Sequence, residues 1–268
     1  MMDFISFCRS HGIIIDQTPP LGQWKRYRTE DHPNKKNGAV KFMGTHAFVQ
    51  NHAIDTEVNV WRADNQNDHT FKPLIKDACE RVEEAQKQAA KKAGWILNQC
   101  EFFTHEYLLR KGFPDERGNV WFRDNQRILV IPMRIGGKLV GCQMIDDQGE
   151  KKFLFGQKTS GAEFVFNNQG PHFWCEGYAT ALSIRMILKS MKRRYTIHVC
   201  FSAHNLGKMA KSGYVIADND RSGVGEQIAK RTGLSYFMPP DVGDDFNDYH
   251  RKVGILTAGL ALTKSLKL

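Results

Sequence analysis

The sequence predicts a mixed α/β chain with a doubly wound, mostly parallel sheet at its C-terminal end. A basic α+β subdomain and a small β-rich N-terminal module precede it. Three observations predict this. Beyond about residue 170, short apolar runs of strand length alternate with helical segments, the pattern of a parallel sheet with crossover helices. Between residues 127 and 155, three apolar runs are separated only by GG and DDQG turns, as in a β-meander. The first 72 or so residues are broken by Gly and Pro into pieces too short for long helices.

In chain order, a short N-terminal helix comes first, then strands near residues 24–28, 38–43 and 45–50. From Pro73 to about Cys100 helix formers dominate, with Ile75, Cys79, Val82 and Ala89 on one face and Lys, Glu and Gln on the other. HEYLLRKG continues as helix, followed by the strands RILVIPMRI, KLVGCQMI and KKFLF. The alternating region then reads HFWC (strand), 177–191 (helix), TIHVCFS (strand), 206–211 (helical turn), GYVIA (strand), 223–232 (helix) and LSYFM (strand). The expected divisions are 1–72, a helical linker 73–112, a basic subdomain 113–168 and a C-terminal domain 169–268. The basic, amphipathic segment GILTAGLALTKSLKL is expected to pack on the C-terminal sheet.

The composition supplies apolar material for real cores, and 38 Lys and Arg against 29 Asp and Glu give a net charge of +9. Such an excess suits a polyanion, either nucleic acid or an acidic surface. Six cysteines are scattered without a C-x-x-C pair, which argues for reduced, packed thiols and against a disulfide framework or a four-cysteine zinc ribbon. The N-terminus lacks the pattern of an export signal, and no run of about eighteen apolar residues occurs. A cytoplasmic protein with no membrane span is the expectation.

The chemistry is carried by where the acids fall. Glu176 directly follows HFWC, and Asp218-Asn219-Asp220 directly follows GYVIA, so their carboxylates belong at the carboxyl ends of parallel strands, where open α/β sheets bind ligands. A third cluster, Asp244, Asp245 and Asp248, comes after LSYFMPPDV and is expected near the next strand end. So many acids on one rim repel one another unless a cation sits among them. Hard oxygen donors without soft ligands select Mg²⁺ or Mn²⁺, and no zinc is expected. Taken singly, each acid has an ordinary alternative as a helix-terminal charge, a turn residue or solvated surface.

EGYATALS at 176–183, VIADND at 215–220 and DFNDYH at 245–250 together closely resemble the TOPRIM domains of phage, plasmid and mobile-element DNA primases. The likeness covers roughly residues 170–255. It implies general acid/base or metal-binding duty for Glu176, divalent metal binding for Asp218 and Asp220, and supporting roles for Asp245 and Asp248. Upstream, 127–134, 141–145 and 151–156 resemble the basic subdomain that precedes TOPRIM in bacterial-type primases. This makes Arg127, Arg134, Lys152 and Lys158 candidates for lining a nucleotide and template groove; as plain strand-edge cations they would only solubilise a sheet. The stretches TEDHP, KKNGAV and VQNHA resemble the N-terminal module of mobile-element primases. There Trp24, Arg26, Lys35, Lys36, Trp61 and Arg62 interleave cations with aromatics, as single-strand stacking surfaces do and as a small aromatic core with solvated lysines also would.

Two features depart from the family. No zinc-ribbon spacing is present, and His32, His46 and His52 read as core or surface histidines. In SAHNL, His204 stands where related primases commonly have glycine. The resemblance implies a nucleotidyltransferase that makes short primers from NTPs on a single-stranded DNA template. Without a G-x-x-x-x-G-K-[ST] loop, unwinding would fall to a separate replicative helicase, with a single-strand-binding protein as another partner. A TOPRIM nuclease and a non-catalytic DNA-binding or replication factor are the competing readings.

Overall fold

A computed structural model of the chain describes residues 2–55, 58–63 and 71–268, with the backbone alone for 71–79. The side chains of Ile75 and Cys79 lie outside the described residues. The chain forms two compact units, Met1–Glu84 and Ala85–Leu268. Among the described residues, seven helices and three sheets give a mixed α/β protein.

In the first unit, α1 (Phe4–Ser10) starts at Asp3, whose carboxylate accepts from the Ser6 N–H. The strands β1 (Trp24–Tyr27), β2 (Gly38–Phe42), β3 (His46–Asn51) and β4 (Asn59–Arg62) follow as one antiparallel sheet in sequential order. The alternation of buried and half-buried residues along β3 turns Ala47 and Val49 toward α1, where Phe4, Cys8, Ile13 and Phe42 complete the core. Trp61 belongs to this core as well. Its ring lies edge-on to Phe4 at 5.4 Å, and its indole N–H donates to the Met2 carbonyl. It is therefore a packing residue and not part of an exposed stacking surface.

The second unit begins within α2 (Phe71–Asn98) and continues through β5 (Cys100–Phe103), α3 (Glu106–Arg110), β6 (Gly118–Arg123), β7 (Gln126–Ile135), β8 (Lys138–Ile145) and β9 (Lys151–Phe153). The five strands pair in order as an antiparallel sheet. Thus β5 and β6 extend the three-stranded meander expected from the sequence. The expected helix stops two residues short of Cys100, which opens β5. One face of the sheet packs on α2, where Ala89, Ala93 and Ile96 meet Trp121, Val130 and Cys142.

Then come β10 (Phe164–Asn167), β11 (His172–Cys175), α4 (Tyr178–Ser190), β12 (Thr196–Val199), α5 (Ala203–Met209), β13 (Tyr214–Ile216), α6 (Val224–Thr232), β14 (Ser235–Phe237) and α7 (Phe246–Leu266). The second sheet has the order β10-β12-β11-β13-β14; β11 pairs in parallel with both β12 and β13, β13 with β14, and β10 runs antiparallel to β12. Asp245 caps α7 instead of ending a further strand, which corrects that expectation. The helical turn expected at 206–211 sits earlier, because Ser202 accepts from the Asn205 N–H and starts α5 at Ala203.

The two sheets of this unit share one core. Leu129, Ile131 and Ile145 of the antiparallel sheet meet Phe173, Ile197 and Ile216 of the mixed sheet, with α4 and α7 closing the cluster. The C-terminal helix breaks its regular backbone at Gly254 (φ 79°) and buries Ala258, Leu262 and Leu266 in that core. The five described cysteines are free; four are buried and Cys100 is half-buried. Burial pushes the Cys142 thiol up to about 12, as expected for packed, inert thiols.

Gly213 opens β13 at φ 91°, and a Cβ there would lie 2.1 Å from the His172 carbonyl oxygen. Both the backbone conformation and the approach of β13 to β11 demand glycine. Gly213→Ala is expected to lower stability by at least about 2 kcal/mol. Urea melts that leave the midpoint within a few tenths of a molar would contradict this close contact.

Candidate active site

Parallel pairing of β11 with β13 puts the residues beyond their C-terminal ends side by side. Glu176 follows β11 directly, and Asp218 lies two residues beyond β13. Asp218 is the most perturbed acid of the rim: burial first, then the charges of Glu176 and Asp245, push its carboxyl up to about 8. Its Oδ1 is buried with no hydrogen-bond partner. The Glu176 carboxyl is also pushed up, chiefly by burial and further by Asp220, while the Ala203 N–H and Lys151 work against the rise.

Asp220 is held differently. Partial burial raises it, but the Ser222 hydroxyl and the N–H groups of Gly225, Ser222 and Gly223 outweigh that and hold it below the ordinary range. Its carboxylate accepts from the Ser222 N–H at 2.8 Å and the Gly225 N–H at 3.3 Å. Gly225 is required there, because a Cβ would lie 2.3 Å from the Asp218 carbonyl oxygen. The two acids of the D-x-D thus divide: Asp218 is buried against its neighbours, and Asp220 is fixed at the entrance to α6.

Asp245 and Asp248 are aligned by a buried polar node. The Ser183 hydroxyl meets the Asn247 amide at 3.0 Å and His250 Nδ1 at 3.1 Å, and the same amide donates to the Lys111 carbonyl at 2.9 Å. Burial holds the His250 imidazole below its ordinary range and so favours its neutral form. Lys111 Nζ then reaches Asp248 at 3.2 Å and Asp245 at 3.5 Å. The sequence strings EGYATALS and DFNDYH contain Ser183, Asn247 and His250, but only the fold reveals that they touch. Asp244 stands outside this group and pairs with Lys252 at 2.6 Å.

The rim is flanked by cations that sequence reading did not select. Arg110, Lys111, Lys151 and Arg251 line a cavity of about 350 Å³ together with Tyr107 and Gln148. Of these only Lys111 has an ion-pair partner among the described residues. The Lys151 charge reaches both Glu176 and Asp218. The four selected cations lie elsewhere. Arg127 pairs with Asp147 at 3.3 Å and Glu106 at 3.9 Å, Arg134 donates to the Gly137 carbonyl, Lys152 pairs with Glu150 at 3.0 Å, and Lys158 is exposed on the loop after β9. Strand alternation explains the difference at β9, since Lys151 and Lys152 point to opposite faces of the sheet.

A separate cavity of about 520 Å³ is lined by Phe153, Phe201, His204 and Lys208, among others. In the first unit, Trp24 is 52% exposed on β1, with its ring 6.4 Å from Phe48, and Lys35 and Lys36 are exposed in the turn before β2. His46, Phe48, Val60 and Arg62 line a separate cavity of about 480 Å³ there.

Glu176 and Asp218, with Asp220 and Asp245 beside them, are the oxygen donors available to a hard divalent cation. The orphaned Asp218 oxygen fits such an ion, which would relieve both its desolvation and its repulsion. Among the described residues no three His, Cys, Asp or Glu side chains are gathered closely enough to hold a metal. No helix among the described residues is long and apolar enough to cross a membrane. No protein-family model matches the chain, and no curated protein matches it.

The Asp218 carboxyl has a direct consequence for stability. Its folded value of about 8 lies above the ordinary 3.8, so between those values the folded chain keeps a proton that the unfolded chain has lost. Stability from this group is complete below about pH 4 and is lost as pH rises through about 8. In EDTA, the wild type is expected to lose on the order of a few kcal/mol across that window, and Asp218→Asn to lose less. Melts at pH 5, 6.5 and 8 check this, and identical slopes for both proteins would refute the buried placement of Asp218.

Proposed function

We propose that this chain is a TOPRIM-type DNA primase, a metal-dependent nucleotidyltransferase that makes short primers from NTPs on single-stranded DNA. The observation that carries the reading is the convergence of Glu176 and Asp218 at the ends of adjacent parallel strands, beside a cavity whose Arg110, Lys151 and Arg251 form no ion pair among the described residues. Carboxylates alone would suit a structural cation. Carboxylates beside unpaired cations suit a substrate that carries several negative charges and needs a metal to approach acids.

In this reading Glu176, Asp218 and Asp220 hold Mg²⁺ or Mn²⁺, with Asp245 and Asp248 in support. The ion would neutralise phosphate charge and lower the pKa of the attacking hydroxyl. The primer 3′-hydroxyl oxygen bonds to the α-phosphorus of the incoming nucleotide while the bond to the β-phosphate oxygen breaks. Pyrophosphate leaves, and the hydroxyl proton passes to a base, for which Glu176 is suited by its raised affinity for protons. Arg110, Lys151 and Arg251 receive the triphosphate. Arg127, Arg134, Lys152 and Lys158 remain candidates for the template path, and residues 1–72 for a DNA-binding module that presents Trp24, Lys35 and Lys36.

In the proposed division of the chain, 73–112 is a linker, 113–168 the basic subdomain and 169–268 the catalytic domain. The net charge of +9 supports a nucleic-acid partner. A separate replicative helicase or single-strand-binding protein would complete the machinery in the cytoplasm of a bacterial host.

The test incubates the full chain with mixed-sequence single-stranded DNA, labelled NTPs and Mg²⁺ or Mn²⁺, and resolves products on a denaturing gel. Short, template-dependent products are expected, reduced at least about 100-fold in Glu176→Gln and abolished in Asp218→Ala with Asp220→Ala. Circular dichroism should show both variants folded. Shortened DNA without labelled product would point to a nuclease. Neither signal, in the presence of helicase, would move the reading to a binding factor.

A further inference from the structure

We infer that the cavity beside Glu176 is a nucleobase pocket, with Phe153 and Phe201 as its aromatic walls. The assignment rests on the reading of the acidic rim as a centre acting on nucleotides, and it adds where the base of such a nucleotide lies.

Four observations carry it. First, Phe153 is 42% exposed on β9, and Phe155, two residues on, is 98% exposed. Large rings left in water this way form surfaces that a flat ligand can cover. The Phe153 and Phe201 rings stand 6.3 Å apart at 84°, and both line the same cavity.

Second, Phe201 occupies the left-handed backbone region at φ 66°. A bulky side chain pays a conformational cost there that neighbouring contacts must sustain. The Phe201 N–H donates to the Glu176 carbonyl at 2.9 Å, so the strained residue is tied to the rim acid itself. Its backbone is thereby anchored next to the residue that carries the acid.

Third, strand alternation puts Lys151 and Phe153 on one face of β9, roughly 7 Å apart by strand rise. The Lys151 charge reaches Glu176 and Asp218, while Phe153 lines the cavity. A single edge strand thus offers a cation and then a ring, in the order in which a nucleotide offers phosphate and then base.

Fourth, the cavity has a polar margin suited to the edge of a heterocycle. His204 is exposed on its wall, and Lys208 donates to Ser160 across it at 2.7 Å. Asn205 is already engaged, donating to the carbonyls of Ala162 and Cys200 and accepting from the Gly161 N–H, so it shapes the wall without being free to read a ligand. A volume of about 520 Å³ is ample for a purine with its sugar. A purely aliphatic ligand would leave this polar margin unused.

The experiment uses the full chain, EDTA and the four nucleosides adenosine, guanosine, cytidine and uridine, which lack phosphate and so do not depend on the acidic rim or on metal. Saturation-transfer difference NMR should place the strongest transfer on base protons rather than ribose protons. Titration should give an affinity reduced at least about fivefold in Phe153→Ala and in Phe201→Gly, with Phe153→Tyr close to wild type. Phe201→Gly relieves the backbone and guards against a mere folding defect. No base transfer in the wild type, or affinities unchanged in both variants, would overturn the pocket. Because binding is read without turnover, nucleoside binding in a chain that makes no primers would sink the primase reading and leave the pocket standing. Primer synthesis without nucleoside binding would do the reverse.

Discussion

The site depends on the parallel pairing of β11 with β13. In a parallel pair both strands deliver their next residues to the same edge, so Glu176 and Asp218 meet although 42 positions apart in sequence. Antiparallel pairing would send them to opposite ends. The close approach of Gly213 to the His172 carbonyl makes the pairing specific, and Gly225 lets α6 close over the Asp218 backbone. Burial then does the chemical work. The same packing that excludes water from Asp218 makes its charge costly and leaves it short of a partner.

Opposite charges are distributed around this rim in two distinct ways. Lys111 is spent on Asp245 and Asp248, held there because Asn247 ties its carbonyl to Ser183 on α4. Arg110, Lys151 and Arg251 form no ion pair among the described residues. The first arrangement stabilises the folded chain, and the second leaves positive potential for a ligand. Both meet at the start of α7, so a change in the seat of that helix would move acids and cations together.

Much of this was legible in the sequence. Alternating apolar runs located β11, β12, β13 and β14 and the helices between them, because each buried strand is an unbroken apolar word closed by a turn. The places of Glu176 and Asp218 were legible for the same reason, since they follow those words directly, whereas Asp245 begins a helix. β4, β5, β6 and β10 were missed, β4 being short and at most half-buried. β5 has mostly exposed residues and so no apolar word, β6 mixes buried residues with an exposed end, and β10 is only half-buried. The cations that line the cavity by the acids were not singled out, because sequence adjacency does not say which face a residue takes. Lys151 and Lys152 are indistinguishable as text, and only pairing with β8 sets one toward the acids. Arg127 looked free until Asp147, twenty residues on, folded back against it. The polar node of Ser183, Asn247 and His250 was invisible for a related reason, as its members are ordinary residues whose importance lies in contact.

The shortness of β9 has a meaning for the solution behaviour of the protein. As the last strand of its sheet it exposes a row of unpaired backbone groups, the kind of edge on which another chain can grow a strand. Three residues are too few for stable recruitment, and two of them are lysines whose charges repel an identical neighbour. The strand that carries Lys151 and lines the aromatic cavity with Phe153 is therefore also a poor template for strand addition, so the same few positions set both properties.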